Sequence, residues 1–109
     1  MRVQMTEVIA VRRLSWANEP QREVFVSIGK PEEAGEGAGE FYCPIQTKGL
    51  GDDDFVQPVF GVDGFQAIEL ALRYIGHRLS DINAKNSGRL RWQFGDNGGL
   101  PKEWAQKEM

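Results

Sequence analysis

The chain of 109 residues has one cysteine, one histidine, no long apolar run and almost no surplus of charge of either sign. Each scarcity excludes something. A lone Cys43 cannot close an internal disulfide, so the fold must hold without that cross-link. No apolar stretch follows Met1-Arg2-Val3-Gln4 as a secretory leader requires, and nothing approaches the roughly 18 consecutive apolar residues that span a bilayer. We therefore expect a soluble, cytoplasmic protein with no membrane association. With 13 Lys plus Arg against 16 Asp plus Glu, the net charge of −3 gives no overall field that would collect polyanions, which disfavours nucleic acid as a partner. Phosphate-cradle chemistry is missing too. Gly35, Gly37 and Gly39 are interleaved with glutamates and are not followed by the Lys-Ser/Thr of a P-loop.

What is present belongs to an ordinary packed domain. Hydrophobic residues make up 40% and charged residues 27%, far from the composition of disordered chains. At this length one modest core is possible and two domains are not, so residues 1–109 are expected to form a single domain. Val8 to Val11 form a β-branched run that turns basic at Arg12 and Arg13, and Val24, Val26 and Ile28 alternate with Phe25 and Ser27. With turn residues Asn18 and Pro20 between them, these runs predict an opening β-hairpin. Residues 30–40 hold four glutamates, three glycines and no large apolar side chain, so a mobile loop is expected there. Phe41 to Gln46 and Phe55 to Phe60 predict two further strands, and Pro44 and Pro58 place them at an edge or a bulge.

The strongest local signal runs from Asp63 to about Ala84. Phe65, Ile68, Leu72, Ile75, Leu79 and Ile82 recur every three or four residues, the spacing of one helical stripe. Asp63 with Gln66 has the form of a capping box, in which each side chain takes up the other residue's backbone N–H. After Asn86-Ser87-Gly88, Leu90, Trp92 and Phe94 alternate with Arg89, Arg91 and Gln93, predicting a last strand. Pro101 to Lys107 could add a short terminal helix. The expected fold is α+β: a mainly antiparallel sheet of four or five strands with one long helix on one face, in the order β-β-β-β-α-β.

At Tyr42-Cys43-Pro44-Ile45, and from Gly61-Val62-Asp63-Gly64-Phe65-Gln66-Ala67 through Leu70-Ala71-Leu72, the chain resembles a family of small bacterial proteins of unknown function. That family has a tyrosine-led Cys-Pro element and a Gly-x-Asp-Ser-x-Gln-Ala-Leu-like helix start. Gly64 and Ile68 stand where its serine and leucine would be. The resemblance implies a bacterial origin and an α+β domain, and it brings no catalytic residue.

Candidate sites are few. Asp52, Asp53 and Asp54 are the densest acidic cluster, but they lack the alternating ligands and distal glutamate of a calcium loop and read more simply as a solvated turn. His77 falls on the polar side of the helix with no nucleophile motif to serve. Cys43 alternates with Phe41 and Ile45 and should point into the core. Arg12, Arg13, Arg89 and Arg91 near Trp92 could grip single-stranded nucleic acid, although Trp92 alternates away from its neighbouring arginines. The sheet, however, looks apolar on both faces. With Val24, Val26 and Ile28 toward the helix, Phe25 points away and Tyr42 is expected beside it. One helix covers one face, so Phe25, Tyr42 and Trp104 are the candidate interaction surface unless the C-terminal tail covers them. The expected function is a non-catalytic module that binds another protein or itself, with no cofactor and no metal implied. The alternatives are a small-ligand or enzyme site where Tyr42, Glu40 and Asp52 to Asp54 converge near the 30–40 loop, and a single-stranded nucleic-acid binder.

Overall fold

The computed structural model describes residues 3–51 and 56–92. Strands β1 (Val8–Trp16) and β2 (Glu19–Gly29) form the expected hairpin, joined by a tight turn at Ala17 and Asn18. After β3 (Glu32–Glu33) and β4 (Phe41–Lys48) come β5 (Val56–Gly61), helix α1 (Gly64–Lys85) and β6 (Leu90–Arg91). All strand pairs are antiparallel; across the sheet the order is β5-β4-β2-β1-β6, and β3 is also hydrogen-bonded to β4. The architecture is therefore α+β, a six-stranded antiparallel sheet with a helix packed against it. β2 and β3 lie along the same side of β4. Ile28 faces Ile45 and, past a break, Glu32 faces Tyr42, so β3 is the continuation of β2.

That break explains a proline inside the sheet. β4 has neighbours on both sides, so Pro44 is not on an edge strand as one of its two expected positions would have it. It sits instead where Gly29 to Pro31 interrupt the ladder, and Pro58 of β5 faces it from the other side. A residue without an N–H is tolerated where no ladder bond is asked of it. The Cys43 thiol, fully buried, donates to the Gly29 carbonyl at 3.4 Å and so satisfies an acceptor at the interruption.

The core lies between sheet and helix. Leu14, Trp16, Val24, Val26, Ile28, Cys43, Ile45 and Leu90 meet Ala67, Ala71, Ile75 and Leu79 of α1. Here the expected stripe is corrected. Ile75 and Leu79 are fully buried, but Ile68, Leu72 and Ile82 are only partly so and Phe65 is 89% exposed. The inward positions Ala67, Ala71, Ile75, Leu79 and Asn83 follow a strict i+4 spacing, which drifts around the helix as it crosses the sheet. Phe65 precedes Ala67 by two residues, about 200° around the axis, so an inward Ala67 turns Phe65 outward. Small residues make this close approach possible. A Cβ on Gly61 would stand 2.5 Å from the Ala67 nitrogen.

The helix termini are set by side chains. Asp63 accepts from Gln66 N at 2.8 Å, and the Gln66 side chain accepts from Val62 N at 2.8 Å. The reciprocal bond thus reaches one residue before the cap rather than Asp63 itself. At the other end Ser87 and Gly88 take left-handed backbone, and Gly88 N donates to Asn83 O at 2.8 Å. The Asn83 side chain, inside the core, accepts from Leu90 N at 2.7 Å and joins the helix end to β6.

Candidate functional site

Among the described residues, those singled out from the sequence do not assemble into one site. Phe25 does point away from the helix, under the Arg13 guanidinium at 5.2 Å. Tyr42 shares that face, but Phe25 is in register with Lys48, six residues further along β4. At the strand rise that is about 20 Å, so the two aromatics are not neighbours. Tyr42 packs instead on Phe60 of β5, its register partner, with ring centroids 6.4 Å apart. Trp104 and Asp52 to Asp54 lie outside the described residues. Part of the second sheet face is covered from an unexpected direction: a Cβ on Gly29 would meet Met5 Sδ at 2.7 Å and Pro44 Cγ at 2.8 Å, so the segment before β1 crosses there.

The arginines are split between the two faces. Arg12 pairs in register with Val26, on the helix side, and its guanidinium lies 3.9 Å from the Trp92 ring. Arg13 faces the opposite side and pairs with Glu23 at 3.6 Å. The Arg–Trp contact reads as a brace between β1 and the chain leaving β6 rather than a base-stacking platform. Arg22 spans the other end of the hairpin, stacking 5.1 Å from the Trp16 ring while both side chains donate to Gly49 O. His77 is exposed on α1, as its place on the polar side implied.

Cys43 is buried, and burial pushes its thiol up to about 11 against an ordinary value of 9.0. At neutral pH it is a protonated donor and a poor nucleophile. Among the described residues no three His, Cys, Asp or Glu side chains come together as a metal set, and no helix is long and apolar enough to cross a membrane. A groove beside β1, lined by Ala10, Arg12, Val26, Ile28, Leu72 and Ile75, encloses ≈ 110 Å³. That is well below the several hundred Å³ of a typical small-molecule site.

What the structure does bring together lies at the far end of β2 from the hairpin turn. Residues 30–40 form an arm, with Ala34 N bonded to Glu40 O and Ala38 N to Gly35 O, both at 2.8 Å. Glu33 pairs with Phe41, and Phe41 pairs with Gly61 on the other side, so arm, β4 and the β5–α1 turn stand abreast. A Cβ on Gly64 would lie 3.7 Å from Pro31, which seats the first turn of α1 against the base of the arm. Near this end of the sheet Phe60, Val62 and Phe65 are 37%, 69% and 89% exposed, Phe60 beside Tyr42 on the face away from the helix and Phe65 on the outer side of α1. The sequence reading missed these three because Phe60 counted as strand and Phe65 as core. The signal it could have used was Val62, an apolar residue directly before the helix cap.

A profile for a domain of unknown function, DUF6968, matches residues 10–102, and the chain belongs to that family. No curated protein and no solved structure matches it.

Proposed function

We propose that the domain is a non-catalytic protein-interaction module that engages its partner through Val62 and Phe65, which flank the cap of α1. The observation that carries this reading is Phe65, a large apolar side chain left 89% exposed in the first turn of a well-capped helix. Exposed apolar side chains that gather rather than scatter mark binding surfaces, and aromatic residues are enriched in the anchors of such surfaces. The buried, protonated Cys43 further supports a role outside catalysis.

The experiment compares the wild-type protein with Phe65→Asp as immobilised baits in lysate of the source organism, followed by calorimetry with purified partner. A protein held by the wild type and lost with Phe65→Asp, and bound one to one in solution, supports the reading. The same proteins retained by both baits, or none by either, overturns it.

A further inference from the structure

We infer that the outer edge of β1 takes the same strand of a second copy of this chain, antiparallel and across a two-fold axis, so that two sheets join into one. β1 and β5 lie toward opposite edges of the sheet, and the two edges are not equally guarded. β5 carries Pro58, which has no N–H to offer an added strand. β1 is bordered by β6 at Ser15 and Trp16, and from Val8 to Val11 no strand lies beside it among the described residues. Val8, Ile9, Ala10 and Val11 are consecutive, apolar and exposed, the three large ones at 47%, 48% and 59%. An open edge pairs readily with another strand unless proline, lysine or an inward charge blunts it, and none stands in this run. Exposed apolar runs of that length mark a surface that something else covers. The shift in register between Val8 and Ala10 bends the strand, so the edge admits a strand that matches it rather than any strand.

Charge identifies the occupant. The apolar run has Glu7 at its start and Arg12 and Arg13 at its end. Laid antiparallel on its own copy, each strand sets its acid toward the other's arginines, at both ends by symmetry, with apolar run against apolar run. Laid parallel, acid would meet acid and arginine would meet arginine, which is destabilising across strands. A foreign strand of one charge sign matches one end and opposes the other. Pairing of a strand with itself across a two-fold is isologous, so it closes at two copies and leaves no growing end. On the helix side the groove lined by Ala10, Arg12, Val26, Ile28, Leu72 and Ile75 borders this edge. Added strands draw affinity from main-chain hydrogen bonds and specificity from pockets for their side chains, and a groove too small for a metabolite suits an aliphatic side chain.

The test is sedimentation velocity on the full-length protein from low micromolar concentration to the solubility limit, with amide exchange of residues 8–13 at both extremes. A monomer–dimer equilibrium is expected, with these amides slowing as the dimer forms. Val11→Lys, at an exposed position, should weaken the dimer about tenfold or more, since lysine blunts an edge. Glu7→Lys and Arg13→Glu should each weaken it by about the same factor, because each sets like charges together at both ends. Mixed in equal amounts, those two variants should associate as the wild type does, because each supplies the charge the other needs. Recovery on mixing cannot come from misfolded chains, so it separates pairing from a folding defect.

A wild type that stays monomeric throughout overturns the inference, as does growth beyond the dimer, a dimer indifferent to Val11→Lys, or a mixture that fails to recover. Amides of residues 8–13 protected equally in the dilute monomer overturn it too, by showing that the chain's own residues cover the edge.

Discussion

Replacing Asn83 by leucine tests the join between helix and sheet, and its cost can be worked out from the geometry. Asn83 is 4% exposed, and its Oδ1 accepts from the backbone N–H of Leu90, itself 1% exposed, at 2.7 Å. Leucine keeps the branched shape and the number of heavy atoms, so no cavity opens, but the Leu90 N–H loses its side-chain acceptor in a place water does not reach. A buried donor left unsatisfied costs about 1 to 3 kcal/mol. For a domain near 100 residues that lowers the melting temperature by about 4 to 20 °C. The assay is urea unfolding followed by circular dichroism, with Asn83→Ala alongside and amide exchange of Leu90 as the local readout. Both variants should lose comparable stability at unchanged denaturant slope, and Leu90 exchange should rise more than that of Ile45 in the far strand. If Asn83→Leu unfolds within about 0.5 kcal/mol of wild type, the bond is not what fastens the end of α1 to β6.

The remaining expectations concern close approach, titration and exposure. Gly61→Ala places a Cβ 2.5 Å from the Ala67 nitrogen and 2.9 Å from its Cα, backbone atoms that cannot rotate away, so the helix must lift from β5. A loss of about 3 kcal/mol is expected in denaturant titration, and a loss under about 1 kcal/mol would show that the contact is slack. Cys43 holds its proton more tightly folded, at about 11, than unfolded, near 9.0. Its contribution is complete below pH 9 and lost as pH rises toward 11, at up to about 1.4 kcal/mol per pH unit, and the difference between wild type and Cys43→Ala measured across that window isolates it. Native protein should also resist iodoacetamide at pH 8 until denaturant is added. Phe65→Asp, exposed and in a first turn that holds no acidic residue, should leave stability within about 0.5 kcal/mol of wild type by thermal melting.

How far the sequence could be read depended on whether the deciding interaction was local. The hairpin, the inward alternation of Val24, Val26 and Ile28, the cap at Asp63 and the turn after Asn86 were legible because period and turn chemistry act within a few residues. The buried stripe of α1 was not. Large apolar residues pointed to Phe65, whereas the contact is made by Ala67 and Ala71 against a strand end where Gly61 has no side chain. A pattern that weighs only big side chains misses an interface built from small ones. The supposed pairing of Phe25 with Tyr42 failed for a related reason: alternation assigns a face, but the register that separates them along β4 is set by β2 and β5.

The acidic arm shows the same limit from the other side. Residues 30–40 bury nothing large, and from that composition they read as a mobile loop, whereas the segment contains the short strand β3. Their charge has a fixed place only because Glu32–Glu33 pairs beside Tyr42 and Phe41, which holds the arm at the end of β4. A whole-chain net charge of −3 averages this corner with the arginines at the opposite end of the hairpin and so hides both. Charge selects partners over roughly a Debye length, about 8 Å in physiological salt, not over the length of the molecule. The quantity that bears on what this end of the sheet can meet is therefore the local balance, four glutamates against Lys30 across residues 30–40, and not the total for the chain.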